Sequence, residues 1–191
     1  MRVQFDSPYI RHLPTTLVMG TMSFRFSAQL NMRFGPKTTL IPSMLSIGAG
    51  LLLFARTPVD ASYVVDLMPA TILIGLGAGL AFPSLMMLAM SGATPEDSGL
   101  ASGLVNTSVQ VGGAIGLAVL ATLASERTDT ALSSGESTAS ALNSGYHLAY
   151  LVGAALIGVA IAVALRAFRT EDATAAAEAP VATELAFPEA A

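Results

Sequence analysis

The chain has 191 residues, of which 53% are hydrophobic and only 12% charged, and its formal net charge at neutral pH is −4. Soluble domains usually carry about 25% charged residues, so this composition argues against a soluble enzyme. The absence of cysteine excludes disulfides, thiolate metal sites and a cysteine nucleophile. Because the balance of charge is acidic and no basic run occurs, nucleic-acid binding has no electrostatic basis.

Charged residues are missing from four long stretches of the chain. No Asp, Glu, Lys or Arg occurs at 38–55, 67–95, 98–125 or 137–165. An apolar stretch of about 18 or more residues without charge is a candidate membrane-spanning helix. Since a chain in lipid must satisfy its own backbone hydrogen bonds, joined spans of this kind predict an all-α integral membrane protein.

The first predicted span, residues 13–31, follows a short N-terminal segment at 1–12 and is interrupted by Arg25. A charge near the centre of a spanning helix costs about 2.5–3.5 kcal/mol on insertion scales. Arg25 is therefore expected either to extend toward the membrane interface or to face a wet interior.

Four further spans are predicted beyond a turn rich in glycine, proline and cations at residues 33–37. They cover residues 38–54, 67–91, 99–124 and 146–165. The Ser-, Thr- and acid-rich stretch between the last two predicts a wet loop over 125–145. The tail, residues 170–191, is low in complexity and rich in Ala, Glu and Pro, and we expect it to be disordered. The transmembrane domain is thus predicted at 13–169.

An odd number of spans places the two termini on opposite sides of the membrane. One side collects Arg33, Lys37, Arg166 and Arg169. The positive-inside rule favours this side, and hence the tail, as cytoplasmic, provided that the cations of the N-terminal segment are not counted.

The fourth span carries polar side chains on one stripe. Ser102, Asn106 and Gln110 are each four residues apart, so they lie on one face of a helix. Two interpretations stay open. The side chains form hydrogen bonds between helices, worth about 0.6 kcal/mol on average, or they line a substrate path, since polar groups in spanning helices face protein or water.

Glycines at four-residue spacing occur in the third and fourth spans, as Gly75 and Gly79 and as Gly112 and Gly116. Such pairs allow close packing of helices, or they form smooth faces on which helices rock against each other. Pro83 predicts either a simple kink or a hinge beside a cavity.

None of the predicted spans contains a carboxylate, so a proton-coupling residue is not expected in this chain. A membrane-embedded enzyme would need clustered His, Asp or Glu at helix depth, and the spans offer none. We therefore predict no catalytic residue, no metal site and no cofactor.

Three segments resemble a known transporter family. Residues 77–84, 96–108 and 111–116, which read GAGLAFPS, EDSGLASGLVNTS and VGGAIG, are similar to the C-terminal half of the major facilitator superfamily, in its fourteen-helix drug:proton antiporter (multidrug efflux) branch. Residues 33–37, RFGPK, resemble the basic R-x-G-P-[RK] loop of that half. The resemblance extends over about 13–169.

This resemblance implies two six-helix halves around a central cavity, of which the chain supplies about five helices of the C-terminal half. It implies a multi-pass protein of the plasma (inner) membrane with a cytoplasmic C-terminus. Its implied function is proton-coupled efflux of drugs or other hydrophobic or cationic small molecules by alternating access. The expected partners are the lipid bilayer, a small-molecule substrate, protons, and either the missing N-terminal half or a second copy.

Site roles follow from the same resemblance. The loop residues Arg33, Gly35, Pro36 and Lys37 are expected to gate the inward- and outward-facing states, and Asn106 and Gln110 to face the substrate path. The alternative is a truncated, transport-inactive membrane fragment that acts only with partner helices.

Overall fold

The computed structural model describes residues 29–178, with side chains described from 29 to 169. A short helical segment at 29–34 precedes four long helices. These are α1 (Pro36–Phe54), α2 (Met68–Met90), α3 (Ser98–Ser133) and α4 (Thr138–Glu178). A π-helical turn, Tyr63–Leu67, leads into α2. The predicted all-α class is confirmed, while the N-terminal segment, Arg25 and nearly all of the first predicted span lie outside the described residues.

Four helices in the described part of the chain are long and apolar enough to cross a membrane: Pro36–Phe54, Tyr63–Met90, Ser98–Ser133 and Thr138–Arg169. Their surfaces are largely uncovered. In the most apolar stretch of α3 no residue is buried, and Leu100 and Leu117 are 77% and 71% exposed. Apolar helices without a shared core are what a bilayer tolerates, because lipid solvates the side chains that water would not.

The tightest packing joins α1 to α2. An added Cβ on Gly77 would lie 2.6 Å from the carbonyl oxygen of Ser43, and one on Gly50 would lie 2.9 Å from that of Ala70. Backbones at this separation require small residues on both helices. Nearby, the Ser46 hydroxyl donates a hydrogen bond to a carbonyl of the opposite helix. We name this contact the α1–α2 seam, formed by Ser43, Ser46, Gly50, Ala70, Leu73 and Gly77.

Helix α4 runs antiparallel to α1 and follows the whole length of α1. The rings of Phe54 and Tyr150 stack with their centroids 5.2 Å apart. An added Cβ on Gly48 would lie 3.5 Å from Ile157, which is ordinary contact distance. Helices α1, α2 and α4 therefore form one packed unit with α1 in the middle.

The predicted loop at 125–145 is wrong for most of its length. Residues 125–133 continue α3 and residues 138–145 belong to α4. The chain reverses at Gly135, whose φ of 90° ends α3 with the Glu136 amide donating to the Ala131 carbonyl, the bonding of a Schellman motif.

Small residues explain why this polar stretch is helical. Ala131 and Ala141 are 2% and 0% exposed, and a Cβ on Gly145 would meet the Ala124 carbonyl oxygen at 2.5 Å, so the two helices pack closely here. Hydroxyls such as that of Thr130 donate back to carbonyls of their own helix, so they do not interrupt it. The polar composition of this stretch indicated exposure to water, but a helix can be exposed to water as well as a loop can.

The tail prediction also differs from the structure in part. Helix α4 continues to Glu178, so residues 170–178 are helical, while residues 179–191 lie outside the described part. Alanine has the highest helix propensity, and this stretch is rich in it. With 41 residues, α4 is about 60 Å long at 1.5 Å per residue, twice the roughly 30 Å of a hydrocarbon core.

Candidate substrate path and gating loop

The polar stripe of α3 has no cover in the described part of the chain. Ser102 is half-buried and Asn106 and Gln110 are exposed. The Ser102 hydroxyl donates to the Gly99 carbonyl of its own helix at 3.1 Å. Within residues 29–169 the three side chains are not joined to another helix, so nothing there supports interhelical hydrogen bonding. The substrate-path interpretation stays a prediction.

The stripe continues a face of α3 that is packed further along. Buried and half-buried residues recur on α3 at Leu120, Ala124, Thr128 and Ala131, at the three- and four-residue spacing of one helix face. Extending that spacing toward the start of α3 leads back to the stripe. The packed part of this face contacts α4, which then leaves α3 and follows α1. The stripe therefore lies on the same side of α3 as the face that packs against α4.

Three of the four glycines singled out by four-residue spacing are open in the described part. A Cβ added to Gly75, Gly112 or Gly116 would meet nothing within 4 Å. Gly79 and Pro83 are half-buried on α2. The proposed packing and hinge roles of these five residues stay predictions that need helices beyond the described ones.

Close helix contact instead follows a different spacing. Ser43 and Gly50 lie two turns apart on α1, and Ala70 and Gly77 lie two turns apart on α2. Because the helices are antiparallel, Ser43 meets Gly77 and Gly50 meets Ala70. Small residues repeated every seven positions on both helices were the signal in the sequence that marks this seam.

The gating loop is built around Gly35. Its φ is 80° and its ψ is 157°, a backbone conformation that residues with a Cβ rarely adopt. The Gly35 amide donates to the Asn31 carbonyl at 3.0 Å, and its carbonyl accepts from the Thr39 amide at 3.2 Å. Pro36 begins α1, where a residue without an amide hydrogen and with a fixed φ is favoured.

The cations of the gating loop lie beside the end of α4. Arg33 is exposed, and the Lys37 ammonium lies 5.6 Å from the centre of the Phe168 ring, within cation–π range. Phe168 stands between Arg166 and Arg169 in the sequence. The structure thus brings the loop cations and the two α4 arginines to the same end of the helices.

One buried polar pair was missed by sequence reasoning. Asn31 and Ser84 are 3% and 0% exposed, and the Ser84 hydroxyl lies 2.8 Å from Asn31 Oδ1. The same hydroxyl lies 2.8 Å from the Leu80 carbonyl oxygen, while Asn31 Nδ2 is buried without a partner. Only the fold brings together two residues 53 positions apart.

A second polar cluster fixes the opposite end of α1. The Thr57 carbonyl accepts from Asn143 Nδ2 at 3.1 Å and lies 2.7 Å from His147 Nε2. Because a carbonyl only accepts, the imidazole carries a proton on Nε2. Arg127 Nε donates to the Ser144 hydroxyl at 2.9 Å. An open pocket of about 410 Å³ lies against this cluster. Among the described residues, no three His, Asp or Glu side chains converge to hold a metal ion.

Comparison with known proteins gives the family. The profile of the Major Facilitator Superfamily matches residues 16–188. The chain belongs to the major facilitator superfamily. It is therefore a multi-pass membrane protein of a transporter family, and the resemblance read from its motifs is confirmed.

Curated relatives agree with the efflux branch. The chain is 33% identical over 180 residues to a puromycin resistance protein of Streptomyces alboniger, covering 90% of this chain and 36% of the relative. It is 36% identical over 152 residues to a cephamycin export protein of Amycolatopsis lactamdurans, covering 79% of this chain and 29% of the relative. A low affinity ammonium transporter of Saccharomyces cerevisiae is 30% identical over 129 residues, covering 68% and 24%.

The chain spans about a third of the length of these relatives or less. No solved structure matches it significantly.

Proposed function

We propose that the chain forms part of an exporter of hydrophobic or cationic small molecules and supplies one wall of its substrate path. The observation that carries the proposal is the uncovered stripe of Ser102, Asn106 and Gln110 on α3. Amide side chains in a spanning helix are disfavoured against lipid and are normally turned toward protein or a water-filled cavity. Relatives named for puromycin resistance and cephamycin export support the choice of cargo.

The opposite wall of the path comes from helices beyond residues 29–169. The relatives are about three times as long as the matched region, and α3 has no helix over its stripe within residues 29–169. A missing N-terminal half is the occupant that the family's two-half architecture implies, and a second copy is the other candidate. Transport then proceeds by alternating access of the two halves around the stripe.

We place the protein in the plasma membrane, with the gating loop and the C-terminus on the cytoplasmic side. Arg33, Lys37, Arg166 and Arg169 are gathered at this end, and the positive-inside rule assigns such an end to the cytoplasm. The opposite end carries Arg56 and Arg127 together with acidic residues.

We assign proton coupling to helices outside the chain. Asp60, Asp66, Glu96 and Asp97 lie near helix ends or in turns, and Glu126 and Asp129 lie in the last two turns of α3, where its surface is polar. A proton acceptor of a transporter works at membrane depth. Coupling, if protons drive the export, needs a residue of the other half.

An efflux assay tests the proposal. Inverted membrane vesicles from the native cells, which supply the partner helices, are expected to accumulate a cationic dye when energised, and vesicles from the same cells with the gene deleted are not. Replacing Asn106 and Gln110 by leucine is expected to abolish the difference. Thr122→Ala is the matched control, because Thr122 bonds only its own helix and lies on the face away from the stripe. Equal uptake with and without the gene would contradict the proposal.

A further inference from the structure

The buried contact between Asn31 and Ser84 joins α2 to the segment that leads into the gating loop. Both residues are almost wholly shielded, and their side chains meet at 2.8 Å. A buried polar atom has lost its hydrogen bonds to water, so it needs a partner within the protein. Within the described residues, Asn31 Nδ2 is a buried side-chain atom without a hydrogen-bond partner.

Counting protons shows how the pair is best satisfied. The single hydroxyl proton of Ser84 can serve either Asn31 Oδ1 or the Leu80 carbonyl, not both. Turning the Asn31 amide by 180° exchanges two atoms of nearly equal size. Nδ2 then donates to Ser84 Oγ, and the hydroxyl donates to the Leu80 carbonyl. Both bonds are made at once, and the donor without a partner disappears.

The pair is connected to the gating loop through the backbone. The carbonyl of Asn31 accepts the Gly35 amide at 3.0 Å. The carbonyl of Gly35 in turn accepts the Thr39 amide at 3.2 Å and the Thr39 hydroxyl at 2.9 Å. Thr39 lies in the first turn of α1 and is 5% exposed. One chain of hydrogen bonds therefore runs from Ser84 on α2 through Asn31 and Gly35 to α1.

The anchor on α2 lies beside its proline. Pro83 has no amide hydrogen, so the Gly79 carbonyl receives no bond from residue 83 and the helix bends more easily at this turn. Ser84 is the next residue and is fully buried. A bend of α2 at Pro83 therefore displaces the side chain that holds Asn31, and with it the residue on which Gly35 rests.

We infer that Asn31 and Ser84 are positioning residues for the gating loop: their side-chain bond holds the loop of Arg33 to Lys37 against α2 and couples it to bending at Pro83. The coupling to transport rests on the proposed function. The holding of the loop does not, because it concerns contacts within the described chain alone.

Tryptic cleavage after Arg33 tests the inference without any transport measurement. The chain is placed in membrane vesicles opened by freezing and thawing, so that trypsin reaches both faces. Cleavage after Arg56, at the opposite end of α1, is the internal reference, and mass spectrometry of the new N-termini gives the ratio of the two rates. Ser84→Ala and Asn31→Ala are each expected to raise this ratio roughly tenfold, because a buried hydrogen-bonded pair is lost and the loop opens locally.

Two comparisons separate positioning from general destabilisation. Ser46→Ala removes another hydroxyl between α1 and α2, which donates to the Leu73 carbonyl at 2.8 Å, and is expected to leave the ratio unchanged. The double variant of Asn31 and Ser84 is expected to match either single variant, since both remove one interaction. An unchanged ratio in both single variants, or an equal rise in Ser46→Ala, would overturn the inference.

The outcomes for the two proposals are distinguishable. A raised ratio, together with equal dye uptake by native vesicles with and without the gene, supports the positioning role and contradicts the proposed function. Dye export with an unchanged ratio supports the function and overturns the positioning role.

Discussion

The carbonyl oxygen of Ser43 on α1 lies 2.6 Å from the position that a Cβ on Gly77 of α2 would occupy. The two helices are thus in backbone contact at this point, and the small residues of the seam exclude any side chain between them. Together with the contact of Gly50 with Ala70, this contact fixes the separation of α1 and α2.

Gly77→Ala is expected to destabilise the chain, because the added methyl group must push apart two backbones. Overpacking of this kind typically costs about 1–3 kcal/mol. Thermal unfolding in detergent measures the loss as a lower Tm. Gly75→Ala, two residues away with open space around it, is the matched control and should leave Tm unchanged or slightly higher. Equal effects of the two variants would contradict the assigned seam.

Gly35→Ala is expected to strain the gating loop, because the φ of 80° penalises any residue with a Cβ. A positive φ combined with an extended ψ is essentially restricted to glycine, and such sparsely populated backbone conformations cost about 1–3 kcal/mol in other residues. No neighbour lies within 4 Å of the added Cβ, so the effect is one of backbone conformation and not of crowding. Hydrogen exchange of the Gly35 and Thr39 amides measures it.

The control for this variant is Gly99→Ala. Gly99 also has open space around it but lies in the first turn of α3. Its replacement should not speed exchange. Protection of the loop amides that is the same in wild type and Gly35→Ala would show that the left-handed turn is not needed.

His147→Ala and Asn143→Ala are each expected to loosen the C-terminal end of α1, because both side chains bond the one Thr57 carbonyl. A single buried hydrogen bond contributes about 0.5–1.5 kcal/mol. Since a carbonyl retains one partner after either change, the double variant should lose more than the sum of the two single losses. Hydrogen exchange near residue 57 reports the opening, and Ser133→Ala, whose hydroxyl bonds its own helix, is the control. Additive losses would mean that the two bonds act independently.

The chain alone is expected to insert into membranes without exporting dye. In the described part of the chain the α3 stripe has no opposite wall, and the chain spans about a third of its relatives. Proteoliposomes of the purified 191-residue chain should show no proton-driven dye efflux above protein-free vesicles. Efflux that a protonophore abolishes would mean that these helices suffice, through assembly of copies if necessary.

Long stretches without charge placed the helices at 38–54 and 67–91 close to where the structure has them. The spans at 38–54 and 67–91 agree with α1 and α2 to within two residues, because long uncharged stretches have few alternatives in a bilayer. The prediction was wrong at 125–145, where composition was polar. There Ala131, Ala141 and Gly145 pack two helices together, and spacing of small residues was the better signal.

The contacts that position the loop were not readable from local patterns. Asn31 appeared as the last residue of a span and Ser84 as a small residue beside a proline. Their pairing depends on how two helices are set side by side, which no periodicity along one helix specifies. The stripe of Ser102, Asn106 and Gln110 was readable from spacing alone, but what faces it is decided by helices beyond residues 29–169.

Thiol labelling of the stripe tests the central claim most directly, and the chain favours it because it contains no cysteine. Single variants Asn106→Cys and Gln110→Cys are treated in native membranes with a water-soluble thiol reagent, beside Ile115→Cys on the opposite face of α3. If the stripe lines a substrate path, the first two react at least tenfold faster than the third, because a thiol reacts as the thiolate and needs water. If all three are equally inert, the stripe faces lipid or packed protein and the proposed path is wrong.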